Sequence, residues 1–255
     1  MTYRLQGERY HGVFAELLEH DVAKRWLDEA HGWFDSPAPG LAPSPAGGST
    51  GAARTALIES PFGLAVAREA AGPFFAFRRR KLALRRFTDA LHLAAVGVAT
   101  AQPFAVLLPR RRADPAAVVA ERVDAPSLRG WIAGGADVPD GTLADVARAL
   151  ADALARLHRS GLRHRGLDAE TVLIEPEVPG LVLASSAGVA RAKLGIKKDD
   201  RSRARDLVPL LAALRELSSE ALDLDRELWR PLLARYADRT GDDATALDAW
   251  VRGRA

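Results

Sequence analysis

The sequence predicts an α+β fold in two lobes: a smaller β-rich amino-terminal lobe carrying one helix, and a larger helical carboxy-terminal lobe. Three observations predict it. Short apolar runs punctuated by Gly, Pro and Ser dominate from Arg54 to Asp124, whereas apolar residues recur every three or four positions from Ser127 onward. One helical pattern, rich in Leu, interrupts the strand-like half between Arg78 and Gly97. The resulting divisions are a helical segment at 1–34, a flexible linker at 35–53, the small lobe at 54–124 and the large lobe at 125–255.

At the amino end, Phe14, Leu17, Leu18, Val22, Trp26, Leu27 and Trp33 fall at helical spacing, so one or two amphipathic helices are expected from Val13 to Phe34. Their apolar stripe, with Trp26 and Trp33, should pack on the body of the protein or on a partner. Asp35 to Ala53 is rich in Pro, Gly and Ser and cannot bury enough apolar surface to order itself, which makes it a linker. Its GGSTG run lacks the G-K-[ST] ending of a phosphate loop. Thr55 to Ile58, the turn Ser60-Pro61-Phe62-Gly63 and Leu64 to Ala67 form a hairpin. Leu82, Leu84, Phe87, Leu91 and Leu93 define the helix that ends near Gly97. Phe104 to Leu108 and Ala116 to Val123 are the next strands.

In the helical half, Ser127 is placed to cap a short helix to Ala133, and Asp140 or Thr142 to cap a longer one running to His158 and closed by Gly161. Thr171 to Ile174 and Leu181 to Leu183 are short strands about a turn. Further helices cover roughly Ser202–Leu217, Leu222–Tyr236 and Asp243–Val251.

Composition removes several functional classes. The 255 residues contain no Cys, so there is no disulfide, thiolate nucleophile or Cys-ligated metal. Hydrophobic residues at 48% and charged residues at 27% suit a globular chain, and 36 basic against 33 acidic residues leave only +3. Such a small excess does not point to nucleic acid, and the aromatic interleaving that single strands need is weak. No cationic start followed by an apolar run appears from Met1 to Lys24, and no stretch approaches the about 20 apolar residues of a spanning helix. The expected location is the cytoplasm, with the inner face of the membrane as the place of any membrane contact.

The informative segment is Leu157 to Ile174, LHRSGLRHRGLDAETVLI. It resembles the catalytic-loop region of protein-kinase-like folds, in which L-H-x-x-G leads into H-R-D-L-x-x-x-N and a short apolar strand. Leu157, His158, Gly161, His164, Arg165, Leu167, Val172, Leu173 and Ile174 fall in register. Arg85 to Pro103 resembles the αC helix and exit of the lipopolysaccharide kinase (Kdo/WaaP-like) branch, and Arg201 to Leu214 its R-x-x-D/N-L helix. The resemblance covers about Arg54 to Leu217 and implies a bilobal kinase-like fold with an ATP-binding cleft.

It also implies where phosphotransfer chemistry should sit, and those positions are altered. The lysine of the third strand falls at Arg68, and the αC glutamate at Arg86, where the charge is reversed. Gly166 stands at the proton-acceptor position and Thr171 at the magnesium-binding asparagine. The metal-binding aspartate falls within Ala184 to Gly188, at Ser185, and no Asp or Glu occurs between Glu177 and Asp199. Asp168 is the available substitute base, with Glu170 beside it, although a carboxylate there would repel a γ-phosphate.

The expectation is therefore a pseudokinase acting as a regulatory or binding module, with no cofactor required and ATP, if held, held without Mg²⁺. Arg68 and Arg86 are the candidate ligand-binding pair, sharing an anion or splaying apart, with Glu69 and Asp89 the nearest acids in sequence. The alternative is an active atypical kinase for a lipopolysaccharide sugar or a protein. A protein or an anionic ligand is the expected partner, with peripheral contact to membrane or lipopolysaccharide and no nucleic acid. No metal site is expected, because His158 and His164 lack a third ligand and suit packing roles. Arg78-Arg79-Arg80-Lys81-Arg85-Arg86 and Arg110-Arg111-Arg112 form a candidate patch for an anionic ligand or a membrane surface.

Overall fold

The structure, a computed structural model, describes residues 1–35, 54–70, 76–134, 142–164, 167–175, 180–183, 189–191, 203–219 and 222–255. The predicted linker, apart from Asp35, lies outside these residues. The chain divides into two compact units, Met1–Leu91 with Ala101–Val123, and His92–Thr100 with Asp124–Ala255.

The first unit is built on an antiparallel six-stranded sheet. Its strands are β1 (Thr2–Gln6), β2 (Tyr10–Ala15), β3 (Thr55–Ser60), β4 (Gly63–Glu69), β5 (Pro103–Pro109) and β6 (Ala117–Glu121), in the order β1-β2-β5-β6-β4-β3. Helices α1 (His20–Glu29) and α2 (Ala76–Ala95) accompany it, and α2 from His92 onward belongs to the second unit. The predicted β3–β4 hairpin is present, with Ser60 facing Gly63 at its turn, and so are α2, β5 and β6. Gly97, past the end of α2, has φ of 73°, the left-handed geometry that stops a helix.

The amino-terminal segment departs from the helical expectation. Tyr10 to Ala15 is a strand, and only His20–Glu29 is helical. The reason is period: Tyr10, Gly12 and Phe14 are buried while His11 and Val13 are half-buried, an alternation of two that a three-to-four spacing of a few residues imitates. β2 then pairs with β5 from Tyr10–Pro109 to Phe14–Ala105, so this segment is part of the sheet.

Alternation gives the sheet two apolar faces. Tyr10, Phe14, Ala65, Ala67, Leu107 and Val119 join Trp26 and Leu27 of α1 in one core; Val106, Leu108 and Ala116 join Ala83 and Phe87 of α2 in another. Trp26 is almost wholly buried, donates its indole N–H to the Glu59 carbonyl at 3.2 Å and meets Trp33 edge-on. The stripe predicted on α1 thus packs on its own sheet.

The second unit contains α3 (Leu128–Ala133), α4 (Thr142–Arg159), β7 (Leu162–His164), β8 (Val172–Glu175), β9 (Gly180–Leu183), β10 (Val189–Arg191), α5 (Leu207–Leu217), α6 (Arg230–Thr240) and α7 (Ala244–Arg252). A π-helical turn, Asp225–Trp229, precedes α6. Strands β7 and β10 pair antiparallel, as do β8 and β9. Ser127 caps α3 by accepting from the Gly130 N–H, as its position predicted, and Asp243 caps α7 by accepting from Ala246. Leu143, Val146, Leu150, Leu154 and Leu157 along α4 pack with Leu232 and Tyr236 of α6. Asp152 reinforces that pairing by accepting from Arg235 at 3.0 Å and Arg239 at 2.8 Å.

Gly12 shows how closely the sheet is packed. A Cβ there would stand 2.4 Å from Cε2 of Phe14 and 3.1 Å from Leu107. Gly12→Ala must displace the Phe14 ring, and overpacking of this kind costs about 1–3 kcal/mol. Urea unfolding should show that loss; a midpoint equal to the parent's would mean that the ring is not held over the strand.

Candidate functional site

Each region that resembles a phosphotransfer element carries its own geometry. In the second unit the centre is Asp206, the residue preceding α5 and the acid of the R-x-x-D/N-L pattern. Its carboxylate is buried, about 1% exposed. Oδ2 accepts from the backbone N–H of His164 at 2.7 Å and lies 3.2 Å from Nε2 of His158; Oδ1 accepts from Arg163 at 2.5 Å. Nδ1 of His158 lies 2.7 Å from the Tyr236 hydroxyl. Since a carboxylate only accepts, Nε2 carries the proton toward Asp206 and Nδ1 is left to accept from Tyr236. Burial pushes the Asp206 carboxyl up, but hydrogen bonds from His158 and Arg163, with the charge of Arg163, outweigh it and hold the group below its ordinary value.

The sequence assigned His158 and His164 to packing, and both are buried. It did not single out Asp206 as the acceptor. The signal was present in R-x-x-D, but no local spacing says that its partners are 42 to 48 residues upstream. Groups of α4 and β7 thereby converge on one carboxylate at the start of α5, with α6 joined through Tyr236 and His158, which fixes the backbone up to His164.

Further along the chain, Asp168 and Thr171 lock onto each other. Asp168 Oδ1 accepts from the backbone N–H groups of Glu170 at 3.0 Å and Thr171 at 2.9 Å. The Thr171 hydroxyl accepts from the Asp168 N–H and donates to the Asp168 carbonyl, both at 3.0 Å. This is an Asx-type turn, and it engages the side chains predicted as substitute base and as metal-position residue. Glu170 meets Arg129 at 3.0 Å and accepts from the Ser127 hydroxyl at 3.0 Å. Gly166 and Ser185 lie outside the described residues. Among the described residues no three His, Asp or Glu side chains gather closely enough to hold a metal ion.

In the first unit, Arg68 of β4 and Arg86 of α2 are both half-buried. Burial lowers the Arg68 pKa, and the charge of Arg86 lowers it further; burial lowers that of Arg86 as well. Of the acids next to them, Glu69 accepts from Arg54 at 2.9 Å, and Asp89 lies 3.4 Å from Arg85.

No family model and no curated protein matches the chain.

The Asp206 centre has a pH signature. Its folded-state carboxyl sits below the unfolded one, so its contribution to stability is complete above the unfolded value and is lost as pH falls through the folded one. Asp206→Ala should cost about 3–5 kcal/mol at neutral pH, because it strands Arg163 and the His164 N–H. Asp206→Asn should flatten the acid limb of stability against pH. Chemical denaturation from neutral pH down to pH 3 tests both, and an unchanged acid limb in the Asn variant would remove Asp206 from the account.

Proposed function

We propose that the protein is a catalytically degenerate relative of the lipopolysaccharide core kinases, and that it works as a regulatory or binding module which holds an anionic group instead of transferring a phosphoryl group. The placement of Arg68 and Arg86 supports this reading: where an enzyme of that kind sets a lysine on a strand against a glutamate on the helix that follows, this chain has an arginine at each position. Arg68 lies on a strand followed in sequence by the helix bearing Arg86, the succession the resemblance requires. Asp206, at the acid position of its motif, holds the backbone of the segment that resembles the catalytic loop.

Magnesium does not fit the residues present. The Thr171 hydroxyl is engaged by Asp168, and the Asp168 carboxylate by two backbone amides. No Asp or Glu lies between Glu177 and Asp199 to supply the usual carboxylate ligand. No phosphoryl-transfer step follows from such a set.

Two guanidinium groups attract a phosphate or carboxylate through planar, bidentate hydrogen bonds, and an anion between them relieves their repulsion. The ligand would be the anionic part of a nucleotide, a sugar phosphate or a partner protein. ATP or inorganic pyrophosphate should therefore raise the melting temperature without any dependence on Mg²⁺. At 100 times its dissociation constant a ligand stabilises by about 2.7 kcal/mol. Arg86→Glu, which restores the opposite-charge pair, should abolish that stabilisation while leaving the protein folded. A magnesium-dependent rise with ATP would overturn the reading in favour of an active kinase, and anion binding undiminished in Arg86→Glu would remove the arginine pair from it.

A further inference from the structure

A cavity of about 390 Å³ opens in the first unit among β1, β2, β5 and α2. Its polar lining is Arg4 and Gln6 of β1, His11 of β2 and Arg110 just past β5; its apolar wall includes Leu84 of α2 and Leu108 of β5. No carboxylate among the described residues lines it. Arg110 is oriented by donating to the Gln6 side-chain oxygen at 2.9 Å and to the Arg9 carbonyl through its backbone N–H. The loop after it is fastened to α2 by Arg79, which donates to the Arg112 carbonyl at 3.0 Å.

Three arginines surround the imidazole of His11. Its pKa is lowered by burial first and then by the charges of Arg80, Arg110 and Arg4. Nε of Arg80 is buried and has no hydrogen-bond partner among the described residues. Elsewhere this chain matches its arginines with acids: Arg9 with Asp114, Arg54 with Glu69, Arg163 with Asp206 and Arg252 with Asp248. Around His11 the cations converge and, among the described residues, the lining supplies no acid.

We propose that this cavity is a binding site for a phosphate monoester carried on a small, partly apolar body. Arg4 and Arg110 take the phosphate oxygens, His11 supplies a further N–H donor, and Leu84 and Leu108 cover the apolar part. A cavity of this volume admits a molecule of sugar-phosphate or aryl-phosphate size. Arginine suits the role because its planar fork pairs with two oxygens at once and stays charged at any relevant pH. The same chemistry is offered by a soluble phosphate ester and by the head group of a phosphorylated lipid. Arg68 and Arg86 do not line the cavity, so the site stands apart from the reading above.

The test is calorimetry of the full chain with phenyl phosphate, in an Arg86→Glu background so that capture by the arginine pair does not contribute. Flotation with phosphatidylcholine vesicles, with and without phosphatidic acid, distinguishes the two sources. Phenyl phosphate should bind at one site. Arg4→Gln with Arg110→Gln should weaken it at least about tenfold, whereas Lys24→Gln with Arg25→Gln, an equal charge change on exposed positions of α1, should leave it within about twofold. Arg4→Gln alone, at an exposed position on an edge strand, reports the same effect in smaller measure and does not endanger the fold. Capture on phosphatidic acid vesicles that the Arg4/Arg110 variant loses assigns the site to a lipid; binding of phenyl phosphate with no such capture assigns it to a soluble ester. Failure of both probes to bind, or equal weakening by the α1 variant, overturns the site.

Discussion

An ionised carboxylate taken out of water costs several kcal/mol unless its oxygens are hydrogen-bonded, and the second unit is arranged around meeting that demand at Asp206. Three donors reach it, one each from α4, the side chain of Arg163 and the backbone of His164. The network is continued by Tyr236, so α6 is drawn in through His158. Geometry of this kind is cooperative: removing one donor leaves another buried polar group without its partner. Apolar packing between α4 and α6 brings the elements together, but hydrophobic contact is non-directional. The directional bonds at Asp206 select one position for β7.

The first unit depends on a different constraint, a sheet whose two faces are both apolar. β5 is buried along its whole length, and a one-residue slip would exchange the sets that face α1 and α2. Gly12 permits the close approach of the Phe14 ring on one face, while His11 and Val13 look to the other. The orientation of Arg68 follows from this alternation. Ala65 and Ala67 belong to the core on the α1 side, so Arg68, one residue further along β4, points to the side of α2.

Elements with strong punctuation were legible in the sequence. The β3–β4 hairpin carries its turn residues, α3 its Ser127 cap, and α2 and α4 end where Gly97 and Gly161 take positive φ. β1 was missed because Thr2–Gln6 is an edge strand with an exposed or half-buried pattern and little apolar content. β7 and β10 span three residues each, too few to express a period. The helical reading of Val13–Ala15 failed because Phe14 fits both periods, and pairing with β5, which lies about 90 residues away in sequence, decided between them. At the candidate site the residue types were readable and the partners were not. Asp168 looked available as a base until the turn to Thr171 placed its oxygen on two backbone amides, a local competition that Asp and Thr often win.

On the proposed reading, three of the five altered positions share a direction of charge. Arg86 stands where a glutamate would, Gly166 where the proton-acceptor aspartate would, and a run without any acid where the metal-binding aspartate would. Each change removes negative charge, and a magnesium ion held by carboxylates loses its anchor along with the carboxylates. An anion would gain on that reading, because groups that would repel it are gone, and Arg4 and Arg110 line one cavity together with His11. The net charge of +3 conceals this, since other charges stand in pairs such as Asp152 with Arg235 and Arg239. On the proposed reading, the substitutions would exchange a chemistry in which metal ions mediate between protein and phosphate for one in which guanidinium groups contact the anion directly. Direct contact of that kind binds an anion without activating a nucleophile, which is the physical distinction between a binding module and a kinase.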